Sequence, residues 1–216
     1  FRQEDLFIAK FITVEGTEGA GKSTNLDFIC QYLAQKNIPF CVTREPGGTP
    51  VAEKIREILL AEHSEPIVPL AELLLVFAAR AQHIEQVIKP ALARGEWVIS
   101  DRFTDATYAY QGAGRDLGVA KVELLEQFVQ GSMRPDLTVF LDVPLETGLA
   151  RITQRGQLDR FEKEPTLFFE RVRSAYLHRI AESPARYAHI DAGQTIAEVQ
   201  QDIGLALHTL LDTADL

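Results

Sequence analysis

Cysteine is scarce in this sequence, with 2 in 216 residues. Cys30 and Cys41 lack the spacing of a metal-ligand set and sit in apolar surroundings, so they read as buried free thiols of a reducing compartment. No apolar run reaches the length that spans a bilayer, and Phe1-Arg2-Gln3-Glu4-Asp5 lacks the basic-then-apolar order of an export signal. A cytoplasmic chain with no membrane partner is expected. Basic residues are in deficit too: 22 Lys and Arg against 31 Asp and Glu leave a formal net charge of -9. A polynucleotide partner needs a basic stripe to displace counterions, so no nucleic acid is expected and the basic residues that matter are few and local. Internal repeats, low-complexity tracts and Ser/Pro-rich linkers are also missing. Residues 1–216 therefore read as one domain, long enough to bury one substantial core.

What is present is an alternation of apolar, β-rich runs with helical patterns. The runs are Phe11 to Val14, Phe40 to Thr43, Trp97 to Ser100, Leu137 to Val143 and Tyr187 to Ile190. This order predicts an α/β fold with a parallel five-stranded sheet and helices on both faces. Ligands of such sheets bind outside the carboxyl ends of the strands. Charged residues fall at every such end: Glu15, Arg44-Glu45, Asp101-Arg102, Asp142 and Asp191.

Between the first strand and an amphipathic helix lies Gly16-Thr17-Glu18-Gly19-Ala20-Gly21-Lys22-Ser23, followed by Thr24. The spacing G-x-x-x-x-G-K-[ST] in a strand-to-helix context is that of a phosphate-binding P-loop. Its glycines let backbone N–H groups curl toward one point, Lys22 offers a mobile charge to terminal phosphates, and the Ser23 hydroxyl can sit on Mg²⁺. The helix that starts here turns its unpaired N–H groups toward the same anion. A nucleoside polyphosphate is the expected ligand.

The helices carry end signals. Thr49-Pro50 is an N-cap with proline at the first helical position, opening Val51 to Ala61 with Ile55, Ile58 and Leu59 on one face. A long helix is expected from Leu70 toward Lys89, with Pro90 as a stop or kink. It is apolar on more than one side, which places it centrally or at a subunit interface. Further helices are expected over Val119 to Val129, Leu145 to Thr153, Leu167 to Ala181 and Ile196 to Leu211. Gln111 to Gly118 reads as a glycine-rich loop, and Arg151 to Lys163 concentrates Arg151, Arg155 and Arg160 around Gly156.

Asp101 closes a buried-type strand, where P-loop enzymes place a carboxylate that holds Mg²⁺, usually through water; a turn aspartate is the plainer alternative. Arg102 beside it suits a second phosphate or a surface ion pair. Thr43 to Thr49 is either an ordinary turn or a constrained binding loop. Phe77 taken singly reads as core, and His83 as a surface or packed histidine, whereas Arg80 on so apolar a helix needs acceptors. The arginine-rich stretch is a solvated face or a mobile basic lid of the kind phosphoryl transfer uses.

Together, the P-loop, Thr43-Arg44-Glu45-Pro46-Gly47-Gly48-Thr49, the stretch Leu73 to His83 and Asp101-Arg102-Phe103 resemble bacterial thymidylate kinase, over nearly the whole chain. The resemblance implies transfer of the ATP γ-phosphoryl group to dTMP with Mg²⁺, for dTTP synthesis, in a cytoplasmic homodimer. It implies that Lys22, Ser23 and Thr24 hold ATP phosphates and metal, that Arg44 and Arg102 clamp the dTMP phosphate, and that Asp101 organises Mg²⁺. Glu15 would lie near the sugar 3′-hydroxyl and the metal, Phe77 would stack on thymine, and Arg80 would bond its carbonyl edge. Thr107, Tyr110 and Gln111 would complete the acceptor pocket. With Glu18 in the P-loop and arginines in a lid over about 151–163, the chain resembles the lid-arginine type, with Arg155, or alternatively Arg151, at the transferring phosphate. The rivals are another nucleoside monophosphate or deoxynucleoside kinase of the same fold, and a P-loop switch that hydrolyses nucleotide without an acceptor.

Overall fold

The computed structural model describes residues 8–156 and 158–212, and only the backbone of Arg155. Residues 1–5, to which the sequence assigns no role, lie outside this range. Five parallel strands, β1 (Phe11–Glu15), β2 (Phe40–Arg44), β3 (Trp97–Asp101), β4 (Leu137–Asp142) and β5 (Tyr187–Asp191), form one sheet in the order β2-β3-β1-β4-β5. The P-loop strand is central and buried throughout, as expected of a continuous apolar run covered on both faces. Register places Val14 opposite Asp101 and Glu15 opposite Phe140, so the charged strand ends stand level at the carboxyl edge.

Alternate residues of each strand face opposite sides. Ile12, Val14, Ile99, Val139 and Leu141 pack with Ile29 and Leu33 of α1 (Lys22–Gln35) and Ile203 and Leu207 of α9 (Ile196–Asp212). On the other side Phe11 and Val98 meet Ile84 and Ile88, while Phe140 meets Tyr176 of α8 (Thr166–Glu182), their rings stacked at 4.8 Å. α6 (Val119–Gln130) and α7 (Leu145–Arg155) complete the helical layers.

The capping signal at Thr49 is real: its Oγ1 accepts from Ala52 N at 3.1 Å, and Pro50 opens α2 (Pro50–Leu60). Four expectations need correction. Ile58 does not share the buried face of α2, where Ala52 and Leu59 are inside and Ile58 is exposed. Of the stop or kink expected at Pro90 the stop is not found: a π-helical turn over Ile84–Ile88 carries α3 (Pro69–His83) into α4 (Lys89–Ala93). Pro90 lacks an N–H and crowds the preceding turn, and the wider turn before it accommodates both. Gln111 to Gly114 is not loop. It belongs to a π-helical continuation, Tyr108–Gly114, of α5 (Thr104–Thr107), packed so closely under α8 that a Cβ on Gly114 would stand 2.6 Å from the Phe168 ring. Tertiary packing there overrides the helix-breaking tendency of glycine. Finally, Cys30 and Cys41 are free thiols but only half-buried.

Candidate active site

The loop between β1 and α1 is shaped by its glycines. Gly16, Gly19 and Gly21 all take positive φ, and a Cβ on Gly19 would stand 2.3 Å from the Gly148 carbonyl oxygen of α7. Lys22 Nζ folds back over the loop, donating to the carbonyls of Gly16 at 3.2 Å and Thr17 at 3.3 Å. Desolvation, followed by the positive charge of Arg102, pulls its pKa down to about 8. Ser23 and Thr24 are exposed at the start of α1, free to meet an anion.

Three concavities surround this loop. The first lies on the sheet side opposite α9 and is lined by Glu18, Glu45, Arg56, Val76, Arg80, Arg102, Phe103, Thr107, Tyr110 and Gln111, with Asp159 and Phe161 of the lid over it. The second is lined by Gly19, Ala20, Gly21, Thr24, Asn25, Arg151 and Gln194. The third holds Ser23, Arg44, Glu53 and Asp101. The P-loop contributes to all three.

Inside the first cavity, Arg102 sits in the left-handed region with φ of 68°, and its Nη2 donates to Glu18 Oε1, Tyr110 Oη and the Gly16 carbonyl at 2.8, 2.8 and 3.3 Å. Burial would raise the Glu18 carboxyl, but Arg102 and Lys22 outweigh it and hold the group low. Arg56, unremarked in the sequence, donates to Pro46 O at 2.9 Å; burial and then the positive charges of Arg44 and Arg102 depress its pKa. Arg56 and Arg102, like charges that face one cavity, form a site for an anion.

Arg80 is 1% exposed. Its Nε donates to Glu45 Oε2 at 2.7 Å and its Nη2 to Thr107 Oγ1 at 2.8 Å, while the rings of Phe77 and Phe103 flank it at 4.8 and 5.0 Å. Its Nη1 is buried without a hydrogen-bond partner, leaving that nitrogen for a ligand. Glu45 also accepts from His83 Nδ1 at 2.8 Å, so His83 is a buried supporting residue.

Several expected residues stand elsewhere. Phe77 does not line the cavity: it packs with Leu73, Tyr108 and Val122, because Val76, four residues before Arg80, is the one that shares the arginine's helix face. Glu15 does not reach the cavity either. It is fully buried, accepts from Phe103 N and Tyr176 Oη at 2.7 Å each, and burial followed by repulsion from Asp105 pushes its pKa up to about 8. Glu18 is the acidic P-loop residue that does line it. Arg44 forks onto Glu53, with bonds of 3.1 and 2.8 Å, over the third concavity. Of the lid arginines, Arg160 turns inward to Glu72 Oε2 at 2.6 Å and Arg151 donates to Gly19 O at 3.0 Å; the Arg155 side chain lies outside the described residues.

The Asp101 Oδ1 is buried without a partner beside exposed Ser23, and the two share the third concavity. An orphaned carboxylate oxygen next to a hydroxyl suits a hard cation. Among the described residues no group of three His, Cys, Asp or Glu side chains could form a metal cage. The same residues contain no helix long and apolar enough to cross a membrane.

A family model described as thymidylate kinase matches residues 14–203. A thymidylate kinase of Ectopseudomonas mendocina (strain ymp) is 58% identical over 202 residues, covering 94% of this chain and 96% of that protein. One of Teredinibacter turnerae is 59% identical over 202 residues, with 94% and 98% covered, and one of Pseudomonas fluorescens (strain SBW25) is 59% identical over 204 residues, with 94% and 97% covered.

Proposed function

This chain belongs to the thymidylate kinase family, and from that premise we infer how its residues divide the work of phosphoryl transfer. It is a kinase that moves the γ-phosphoryl group of ATP to dTMP, giving dTDP and ADP. The observation that carries the assignment of residues is the placement of two pockets on either side of one P-loop. The Arg151 and Gln194 pocket takes the donor nucleotide, and the arginine-lined cavity takes the acceptor.

Gly16 to Thr24 hold the ATP phosphates, with Lys22 placed where charge moves from the transferring γ group toward the β phosphate of the departing ADP. Arg102 and Arg56 take the dTMP phosphate, and Arg44, across Asp101, guards the route between the two nucleotides. Glu18 and Tyr110 face the sugar, Val76 offers the apolar wall for the base, and Arg80 Nη1 donates to its carbonyl edge. Thr107 holds Arg80, and Gln111 completes the pocket. Ser23 and Asp101 fit Mg²⁺, Asp101 through water, and the ion when bound neutralises charge on the transferring group. The lid of about 151–163 excludes water, and Arg155 is the arginine brought to the transferring phosphate. Residues 1–216 act as one nucleoside monophosphate kinase domain, in the cytoplasm and as a homodimer, supplying dTTP synthesis without nucleic-acid or membrane partners.

The test is ADP release measured with and without dTMP. ADP release that depends on dTMP and yields dTDP is expected; equal release without dTMP contradicts the acceptor assignment.

A further inference from the structure

Glu72 lies wholly outside the acceptor cavity and is 0% exposed, yet its carboxylate gathers three donors from distant parts of the chain. Oε1 accepts from Gln111 Nε2 at 2.8 Å and from Arg115 Nε at 3.1 Å. Oε2 accepts from Arg160 Nη2 at 2.6 Å and from Arg115 Nε at 3.3 Å. A carboxylate paired with two guanidiniums is an acceptor only, so the Gln111 group that faces it must be the NH₂. The side-chain oxygen of Gln111, Oε1, is then left for the cavity that this residue lines, and no hydrogen bond among the described residues falls on it.

The geometry points to Glu72 as a specificity-determining positioning residue: by holding the NH₂ of Gln111, it makes that side chain a hydrogen-bond acceptor toward the base. The assignment rests on the reading that this cavity holds the base of dTMP. Thymine offers a donor at N3–H beside the acceptor O4, and cytosine offers an acceptor at N3 beside a donor amine. Arg80, with Nε and Nη2 already bonded, has only a donor left. A fixed pair, Arg80 donating and Gln111 accepting, matches thymine and opposes cytosine at both positions. An unrestrained glutamine would lose half of that discrimination, because turning its amide by 180° serves either base.

Glu72→Gln tests this with a defined expectation. The new side chain has one acceptor oxygen. Arg115 Nε reaches both oxygen positions, at 3.1 and 3.3 Å, and keeps an acceptor whichever way the amide lies, whereas Arg160 Nη2 reaches only one. NH₂ placed there would set two donors face to face, so the oxygen takes the Arg160 side and the NH₂ faces Gln111, which must then turn its own oxygen toward it. Gln111 would thereby present NH₂ to the base. Single-turnover phosphorylation with enzyme in excess gives kcat/KM for dTMP and dCMP. The dTMP to dCMP ratio is expected to fall at least tenfold in Glu72→Gln and to be restored in Glu72→Asp. It should remain within threefold of wild type in Arg160→Met, which loosens the lid but leaves the amide contact. A ratio unchanged in Glu72→Gln, or changed equally in Arg160→Met, overturns the proposal. Gln111→Met with an unaltered KM for dTMP removes the premise instead, because the cavity would then not hold the base. If Glu72→Gln does not fold, the Gln111 side-chain NH₂ in the wild-type protein decides. Its protons should be protected from solvent exchange with and without dTMP, and exchange as fast as an exposed glutamine overturns the proposal.

Discussion

Arg102 Nη2 lies 2.8 Å from Glu18 Oε1, so a side chain at the end of β3 is tied to the P-loop that starts after β1. Tyr110 Oη joins the pair, donating to Glu18 at 2.7 Å, and its ring lies 4.8 Å from the guanidinium. Arg102 also acts on Lys22, so an anion arriving at Arg102 would change the field at the P-loop lysine. Burial works against the charge on Arg102, but Tyr110 and Glu18 more than compensate, so it stays cationic throughout the working pH range.

Arg102→Lys preserves this charge but loses the fork. kcat/KM for dTMP should fall about 10- to 100-fold, the worth of one or two charge-assisted hydrogen bonds, while KM for ATP stays close to wild type. Steady-state kinetics with each substrate varied in turn checks this.

Lys22→Met removes the charge that follows the transferring group. A folded variant with kcat lowered about 100-fold or more is expected, comparable to loss of an oxyanion donor. Circular dichroism alongside the assay separates this from unfolding, and near-normal turnover would remove the P-loop assignment.

Arg151 and Arg155 should separate by parameter. Arg151 braces Gly19 beside the donor pocket, so Arg151→Ala should mainly raise KM for ATP. Arg155→Ala should lower kcat by about 10³-fold, as for an arginine finger supplied in cis. If both retain kcat within about threefold, neither touches the transition state.

Asp105 carries a prediction about stability. It is buried with Arg179 Nε at 2.6 Å and with Arg186 Nη1 and Tyr187 Oη at 2.7 and 2.8 Å. Burial alone would raise its pKa; Arg186 and Arg179 overcome that and hold it at about 2, against 3.8 as the ordinary value. The folded state therefore binds its proton less readily than the unfolded chain, so the stabilisation is complete above 3.8 and is lost as pH falls through 2. Asp105→Asn should cost about 3–5 kcal/mol at pH 7 by leaving buried guanidiniums uncompensated. In urea titrations that difference should narrow below pH 4.

The exposed side of α3 predicts association. Leu70 and Leu74 are each 49% exposed, and Phe128 of neighbouring α6 is 84% exposed. An apolar surface of this kind marks an interface. Sedimentation should give a dimer at micromolar concentration and a monomer for Leu74→Glu; a wild-type monomer contradicts the homodimer.

The strands, the P-loop and the Thr49 cap were legible in the sequence because each depends on neighbours a few residues apart. Apolar continuity, glycine conformational freedom and a hydroxyl three residues from an N–H are local properties. The thymidylate kinase family was legible for the same reason, since its motifs are contiguous blocks. Residue types within the blocks were readable as well, and Arg80 drew attention because a guanidinium on an apolar helix needs acceptors.

Which side chains share the cavity was decided only by the tertiary structure. Phe77 and Val76 are adjacent in sequence, and a rotation of about 100° per helical residue sends one to the core and the other to the cavity. Glu45 and Arg80 are 35 residues apart, Glu72 and Arg160 are 88 apart, and Arg56 meets the Arg102 field only through the packing of α2 against α3. The Gln111 stretch became helix because Phe168 closes over Gly114. Local chemistry sets which elements form. Long-range burial sets which donors and acceptors remain for a ligand, because every buried polar group must first satisfy its neighbours.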